Sequence, residues 1–147
     1  MRAVVTRVKE ASVSIDGKVV GEIGQGFLVL LGVGPDDDKA AADRLAEKIT
    51  RVRVFSDAAG KMNLAIDAVG GAFLVVPQFT LYADLKKRRP GFSHAAPPSL
   101  AVPLYERFME RLRELGHQVA HGEFGADMLV TSKNDGPVTL LFDTEKI

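Results

Sequence analysis

Residues 26–34, "GFLVLLGVG", are apolar without a break and bounded by glycines. A run with no polar face fits a strand buried on both sides. "AFLVVPQFTL" (72–81) is a second buried run. Between them the period changes. In "PDDDKAAADRLAEKITRV" (35–52), Ala41, Leu45, Ile49 and Val52 recur at helical spacing. Asp36, Asp37 and Asp38 stand where a cap and a negatively charged first turn belong. Three adjacent aspartates also raise a metal, but helix capping explains them better.

The remaining segments limit how such strands can be joined. Residues 2–9 alternate as a strand, and "VSIDGKVVGEI" (13–23) places two short runs around Asp16-Gly17, a strong hairpin signal. "RVRVF" (51–55) reads as a strand and "SDAAGK" (56–61) as a turn. "AAPPSLAVPLYERFMERLRELG" (95–116) reads as a second helix, with Leu104, Tyr105, Phe108, Leu112 and Leu115 as its apolar stripe and Gly116 ending it. Its prolines cluster at or before the first turn, where they are tolerated. Short strands are expected near 117–124, 127–132 and 138–143. The hairpins exclude a doubly wound parallel sheet. The expectation is one compact α/β domain over 1–147, with a mixed, largely antiparallel sheet and two main helices.

Composition narrows the function. The 19 Lys+Arg balance 19 Asp+Glu, so the chain lacks the basic excess of a protein that wraps duplex nucleic acid. Any such contact must be local, and the one concentrated basic stretch is Lys86 to Arg89, which otherwise reads as a solvated loop. There is no cysteine, which excludes disulfides, thiolate metal sites and a cysteine nucleophile. Charges at Arg2, Arg7, Lys9 and Glu10 interrupt any signal-peptide apolar stretch. No apolar run approaches the ~18 residues of a membrane span. A soluble intracellular protein without membrane association is expected.

Familiar catalytic motifs are absent: no phosphate-binding loop, no dinucleotide fingerprint, no G-x-S-x-G elbow and no H-E-x-x-H. His117 and His121 would share a face of a strand, an arrangement more often superficial than metal-binding. Ser93 and His94 are neighbours whose side chains point apart on an extended chain.

The informative oddities are two. In "VVPQFTL" (75–81), Pro77 and Gln78 interrupt a buried strand. That leaves the N–H groups of Gln78, Phe79 and Thr80 to be satisfied elsewhere, and free, convergent N–H groups are what an oxyanion hole requires. The Thr80 hydroxyl could act as nucleophile or as hydrogen-bond donor, with no base nearby in sequence. An edge strand with a bulge explains the same residues without function. In "KNDGPVTLLFD" (133–143), Gly136-Pro137 opens a strand in which Val138, Leu140 and Phe142 alternate. Both are poor strand residues, so the pair is either a turn or a backbone presented to something.

These segments resemble the D-aminoacyl-tRNA deacylase family along essentially the whole chain. The likeness runs through "RVKEASVSIDG", "VGEIGQGFLVLLGV", "FSDAAGKMNL" (55–64), "QFTLYAD" (78–84), "FSHAAPPSLAVPLYERF" (92–108), "GEFGADM" (122–128) and "NDGPVT" (134–139). QFTL and NDGPVT are its two signatures. The resemblance implies hydrolysis of the ester joining a D-amino acid to the tRNA 3′ end by a cytoplasmic homodimer of barrel-like subunits; no cofactor is expected, and no ligand set in the sequence demands a metal. It implies a cis Gly136-Pro137 bond, inserted into the partner's site as a chiral filter. It places Gln78, Phe79 and Thr80 at the reacting carbonyl, with Pro77, Gly136 and Pro137 against the substrate. It favours activation of water by the 2′-OH of the terminal adenosine, leaving the Thr80 side chain positional. Glycine has no side chain for such a filter to reject, so cleavage of glycyl-tRNA is expected as well. The chain departs from the pattern in two places. Pro77 stands for the usual serine, which removes that serine's hydrogen bonds. "RPGF" (89–92) stands for "RPSF", in a loop one residue short. The alternatives are a non-catalytic module that binds an RNA end or nucleotide, and a hydrolase of small D-amino-acid esters.

Overall fold

A computed structural model describes residues 1–147. Its spine is β1 (Arg2–Ile15), which turns at Asp16-Gly17 into β2 (Lys18–Ile23) and then runs on into β3 (Gly26–Gly32). Asp16 and Gly17 both have positive φ, 50° and 78°, as the hairpin signal requires. β1 pairs antiparallel with β2, with β3 and, along its other edge, with β8 (Leu129–Asp143). β3 pairs parallel with β6 (Ala72–Pro77), and β6 pairs parallel with β7 (Val119–His121). A small hairpin, β4 (Phe55–Ser56) and β5 (Met62–Leu64), lies between. The sheet is therefore mixed and curls into a nearly closed barrel. Its seam is between β2 and β7: a Cβ on Gly21 would stand 2.7 Å from the backbone oxygen of His121. Only glycine permits that approach.

Each buried run shows why it has no polar face. On β3 and β6, Phe27, Val29, Leu31, Phe73 and Val75 pack outward against the helices. Leu28, Leu74 and Val76 point the other way, into a second cluster with Val8, Ala11 and Val13 of β1. α1 (Lys39–Arg51) and α2 (Pro98–Glu114) cover the outer face, contributing Leu45, Ile49, Phe108 and Leu112, all fully buried. Asp38 caps α1, its carboxylate accepting from Ala41 N–H at 2.9 Å. Asp37 instead accepts from Gly34 N–H and from the Met1 ammonium, both at 2.6 Å. No helix is long and apolar enough to cross a membrane.

Several expectations need correction. Residues 51–54 do not form a strand, because α1 continues to Arg51 and pairing begins only at Phe55. Pro103 lies inside α2, beyond the first turn. His117 precedes β7 and packs edge-on against Phe73, with ring centroids 5.2 Å apart, so it shares no strand face with His121. The buried run does not continue to 81: β6 ends at Pro77, and Phe79–Tyr82 form a partly exposed 3-10 turn. The two C-terminal segments, finally, are one strand of 15 residues, β8, with Gly136-Pro137 in its middle.

Candidate active site

Pro77 stops β6 for a reason visible in its partners. Up to Val75 the strand is flanked on both sides, by β3 and by β7. Gly122 N–H donates to the Val75 carbonyl at 3.0 Å, and there β7 pairing ends. In a parallel ladder alternate residues face the same neighbour, so Pro77 faces the side from which β7 has gone. Its missing N–H costs nothing there. Tyr105 steadies the same point, its buried hydroxyl donating to the Val75 carbonyl at 3.0 Å. Burial pushes its pKa up, which keeps that proton in place.

Gln78 departs from the expected pattern. Its N–H is not free: it donates to Leu31 carbonyl at 2.8 Å, the last bond of the parallel ladder. Gln78 then caps the 3-10 turn, and Leu81 N–H donates to its carbonyl at 3.2 Å. The N–H groups of Phe79 and Thr80 open this turn, so neither finds an acceptor within it. The oxyanion candidates narrow from three to these two. The Thr80 hydroxyl accepts from the Gln78 side-chain amide. Arg2 holds the far end of the turn, donating to Leu81 carbonyl at 2.9 Å while its guanidinium stacks 4.4 Å above the Tyr82 ring.

A cleft of about 620 Å³ opens beside the turn. Val76, Pro77, Gln78 and Phe79 form one wall. Phe92 with Ala95 to Pro98, and Phe124 to Ala126 with Met128 and Val130, supply the others. Phe79 and Phe92 meet edge-to-face at 5.0 Å on the rim, 52% and 41% exposed. No side chain lining the cleft is titratable. Thr80 stands beside the cleft rather than in its wall. The walls from 92–98 and 124–130 escaped the sequence reading, since apolar loop residues give no local sign of a pocket.

Gly136 and Pro137 lie elsewhere. Between Thr139, opposite Thr6, and Asn134, opposite Val8, residues 135–138 leave the ladder, while β1 supplies only Arg7. The bond between them is cis, and Gly136 has φ +121°. Arg7 fills the space beneath, although only 8% exposed. Its Nε donates to Asp135 carbonyl at 3.2 Å and sits 3.4 Å from the Asp135 carboxylate, while Nη1 donates to Val54 carbonyl. A charge this deep needs such partners. The outer edge of β8 has no strand partner, and Gly136 and Pro137 are exposed on it. Val130 of the same strand lines the cleft; six residues of strand put Gly136 roughly 15–20 Å beyond it. The fold thus places Pro77, Gln78 and Phe79 together and holds Gly136-Pro137 apart from them within one chain.

Comparison with known proteins gives this arrangement its family. The chain is 58% identical over 147 residues to a D-aminoacyl-tRNA deacylase of Symbiobacterium thermophilum, covering 99% of this chain and 97% of that protein. It is 59% identical over 146 residues to one of Lacticaseibacillus casei, covering 99% of each. Among solved structures, a c-Myc DNA unwinding element binding protein superposes with TM-score 0.92 at 38% identity, over 97% of this chain and 98% of that one. A probable eukaryotic D-amino acid tRNA deacylase shares the fold at TM-score 0.85 and 17% identity, over 96% and 97%. The family model for D-Tyr-tRNA(Tyr) deacylase matches residues 4–143. With a match from β1 to the end of β8, and relatives more than half identical from end to end, the chain belongs to the D-Tyr-tRNA(Tyr) deacylase family.

Proposed function

We propose that this chain hydrolyses the ester bond of D-aminoacyl-tRNA, releasing the free amino acid and tRNA. The observation that carries the reading is the cleft itself: an apolar wall without a titratable side chain, beside the 3-10 turn that Phe79 and Thr80 open. Such a site polarises a carbonyl but offers no side-chain base. An ester already activated by a neighbouring hydroxyl suits it. The carbonyl oxygen of the aminoacyl ester accepts from the N–H groups of Phe79 and Thr80. The 2′-OH of the terminal adenosine helps to take a proton from water as water adds to the carbon. The carbon–oxygen bond to the 3′-oxygen then breaks, and that oxygen leaves with a proton. The Gln78 amide donates to the Thr80 hydroxyl and keeps the turn in shape. Thr80 serves this geometry without forming a covalent intermediate.

Chirality follows from a second copy of the chain. The Gly136-Pro137 backbone stands out from an unpaired strand edge and is exposed. Leu129 and Leu141, toward the two ends of β8, are 69% and 83% exposed, apolar side chains that a homodimer contact would cover. The partner's Gly-Pro backbone enters the cleft and presses against the substrate Cα. Hydrogen fits on that side; an L side chain collides with the carbonyls, and a D side chain points away. Glycine passes, so glycyl-tRNA is a substrate too. Incubation with matched D- and L-aminoacyl-tRNA, with a free D-aminoacyl ester as control, tests the reading. D-aminoacyl-tRNA turnover far above the other two is expected. No turnover of any substrate would mark a binding module, and equal turnover of the free ester a small-ester hydrolase.

A further inference from the structure

The cleft accounts for the aminoacyl ester and its adenosine, but not for the four cations beside it. Lys86, Lys87, Arg88 and Arg89 are all exposed, and none of them joins an ion pair. Arg107 and Arg111, by contrast, are paired, with Asp43 at 2.6 Å and with Glu47 at 2.7 Å. In a chain of zero net charge, this is a local, uncompensated positive tip.

The tip is also held in place. Asp84 N–H donates to Gly91 carbonyl at 2.7 Å and Gly91 N–H returns the bond at 3.0 Å, which closes the loop at its base. The carboxylate of Asp84, at the base of the loop, already has partners. Asp84 Oδ1 accepts from Lys86 N–H at 3.0 Å, and Oδ2 faces His94 Nε2 at 3.6 Å. Immediately beyond the clamp, Phe92 joins Phe79 on the cleft rim, and Ala96 N–H donates to Val33 carbonyl at 2.9 Å. A charged tip is thus mounted on the wall of the cleft. Exposed aromatic rings with adjoining cations are the parts from which single-strand binding surfaces are made.

We propose that the 86–89 tip binds phosphodiester groups of the unpaired 3′ strand of the substrate tRNA, upstream of the nucleotide that enters the cleft. The inference rests on the deacylase reading given above. The tip attracts phosphate through charge and reads no base. It raises the capture of long substrates and leaves the chemical step alone.

The test compares the wild type with Lys86→Ala/Lys87→Ala, Arg88→Ala/Arg89→Ala and the charge-keeping Lys86→Arg/Lys87→Arg. Each is assayed on D-aminoacyl-tRNA between 50 and 200 mM KCl, and on D-aminoacyl-adenosine, which carries no phosphodiester. Each neutralised pair should lower kcat/KM on tRNA at least about tenfold at low salt. It should flatten the slope of log kcat/KM against log salt by about 1.4, from ~0.7 for each contact to a single strand. Turnover of D-aminoacyl-adenosine should stay within about twofold, and the Arg-for-Lys variant should keep the wild-type slope. An unchanged slope in both alanine variants overturns the proposal. So does an equal loss on both substrates, which would mark a folding or cleft effect. Wild-type enzyme that cleaves D-aminoacyl-adenosine but shows no salt dependence on tRNA also overturns it, while leaving the deacylase reading intact. Failure on both substrates removes that reading and this one together.

Discussion

Replacing Arg7 should both destabilise the protein and loosen its stereochemical choice. The side chain is buried beneath residues 135–138 and donates to two backbone carbonyls, those of Asp135 and Val54. Hydrogen bonds from a charged donor contribute about 1.5–3 kcal/mol each. The ion pair with Asp135, whose carboxylate is 30% exposed, adds less than about 1 kcal/mol. Arg7→Met removes every donor and leaves two carbonyls unpaired, so a loss of about 3–5 kcal/mol is expected. With a urea m-value of about 2 kcal/mol/M, the midpoint falls by about 1.5–2.5 M. Arg7→Lys keeps the charge but not the fork that reaches two acceptors; about 2 kcal/mol is expected. Because Arg7 stands opposite the Gly-Pro segment, the same variant should raise L-aminoacyl-tRNA turnover. The ratio of kcat/KM for D over L substrate should drop at least about tenfold, or about 1.4 kcal/mol of discrimination. Urea unfolding and paired kinetics on Arg7→Lys read both effects. Wild-type midpoint and wild-type D/L ratio together would refute the idea that Arg7 holds the segment in place.

Other substitutions test separate parts. Thr80→Ala should keep kcat within about tenfold on D-aminoacyl-tRNA, because the hydroxyl serves as acceptor for the Gln78 amide; complete loss in a folded, substrate-binding protein would revive a nucleophilic role. Gly136→Ala would put a Cβ 2.9 Å from Val138 Cγ2 and 3.0 Å from Arg7 Nη2, at φ +121°. A conformation that disfavours side chains costs about 1–3 kcal/mol, so the urea midpoint should fall, and L-substrate turnover should rise as the backbone shifts. Burial holds the His117 imidazole below its ordinary pKa of about 6.5. The unfolded chain therefore binds the proton first, so stability should decline as pH falls below about 6.5 and level off beneath the folded value. His117→Phe should flatten that decline in urea titrations across pH 4–7.

What the sequence carried was local. The Asp16-Gly17 turn, the Asp38 cap and the two-faced burial of β3 each follow from a few adjacent residues. What escaped it depends on partners far along the chain. The Gly-Pro pair looks like a strand opening, yet β8 continues on both sides because β1 pairs with both halves and absorbs the irregularity. Arg7 reads as one more charge on an alternating strand, and its acceptor lies 128 residues away. Gln78 was expected to offer its N–H, but the parallel ladder reaches one residue past the proline and takes it. QFTL and NDGPVT point to chemistry through resemblance; the empty electrostatics of the cleft wall become visible only when three separate segments meet.

The most direct test of the chiral filter is the kcat/KM of the wild-type protein on three tRNA substrates matched except for the amino acid: D-alanyl, glycyl and L-alanyl. Rejection by backbone contact at Cα predicts comparable values for the D and glycyl substrates and a value at least about a hundredfold lower for L. Equal resistance of glycyl- and L-alanyl-tRNA, with D cleaved, would contradict it, because glycine carries no side chain to reject.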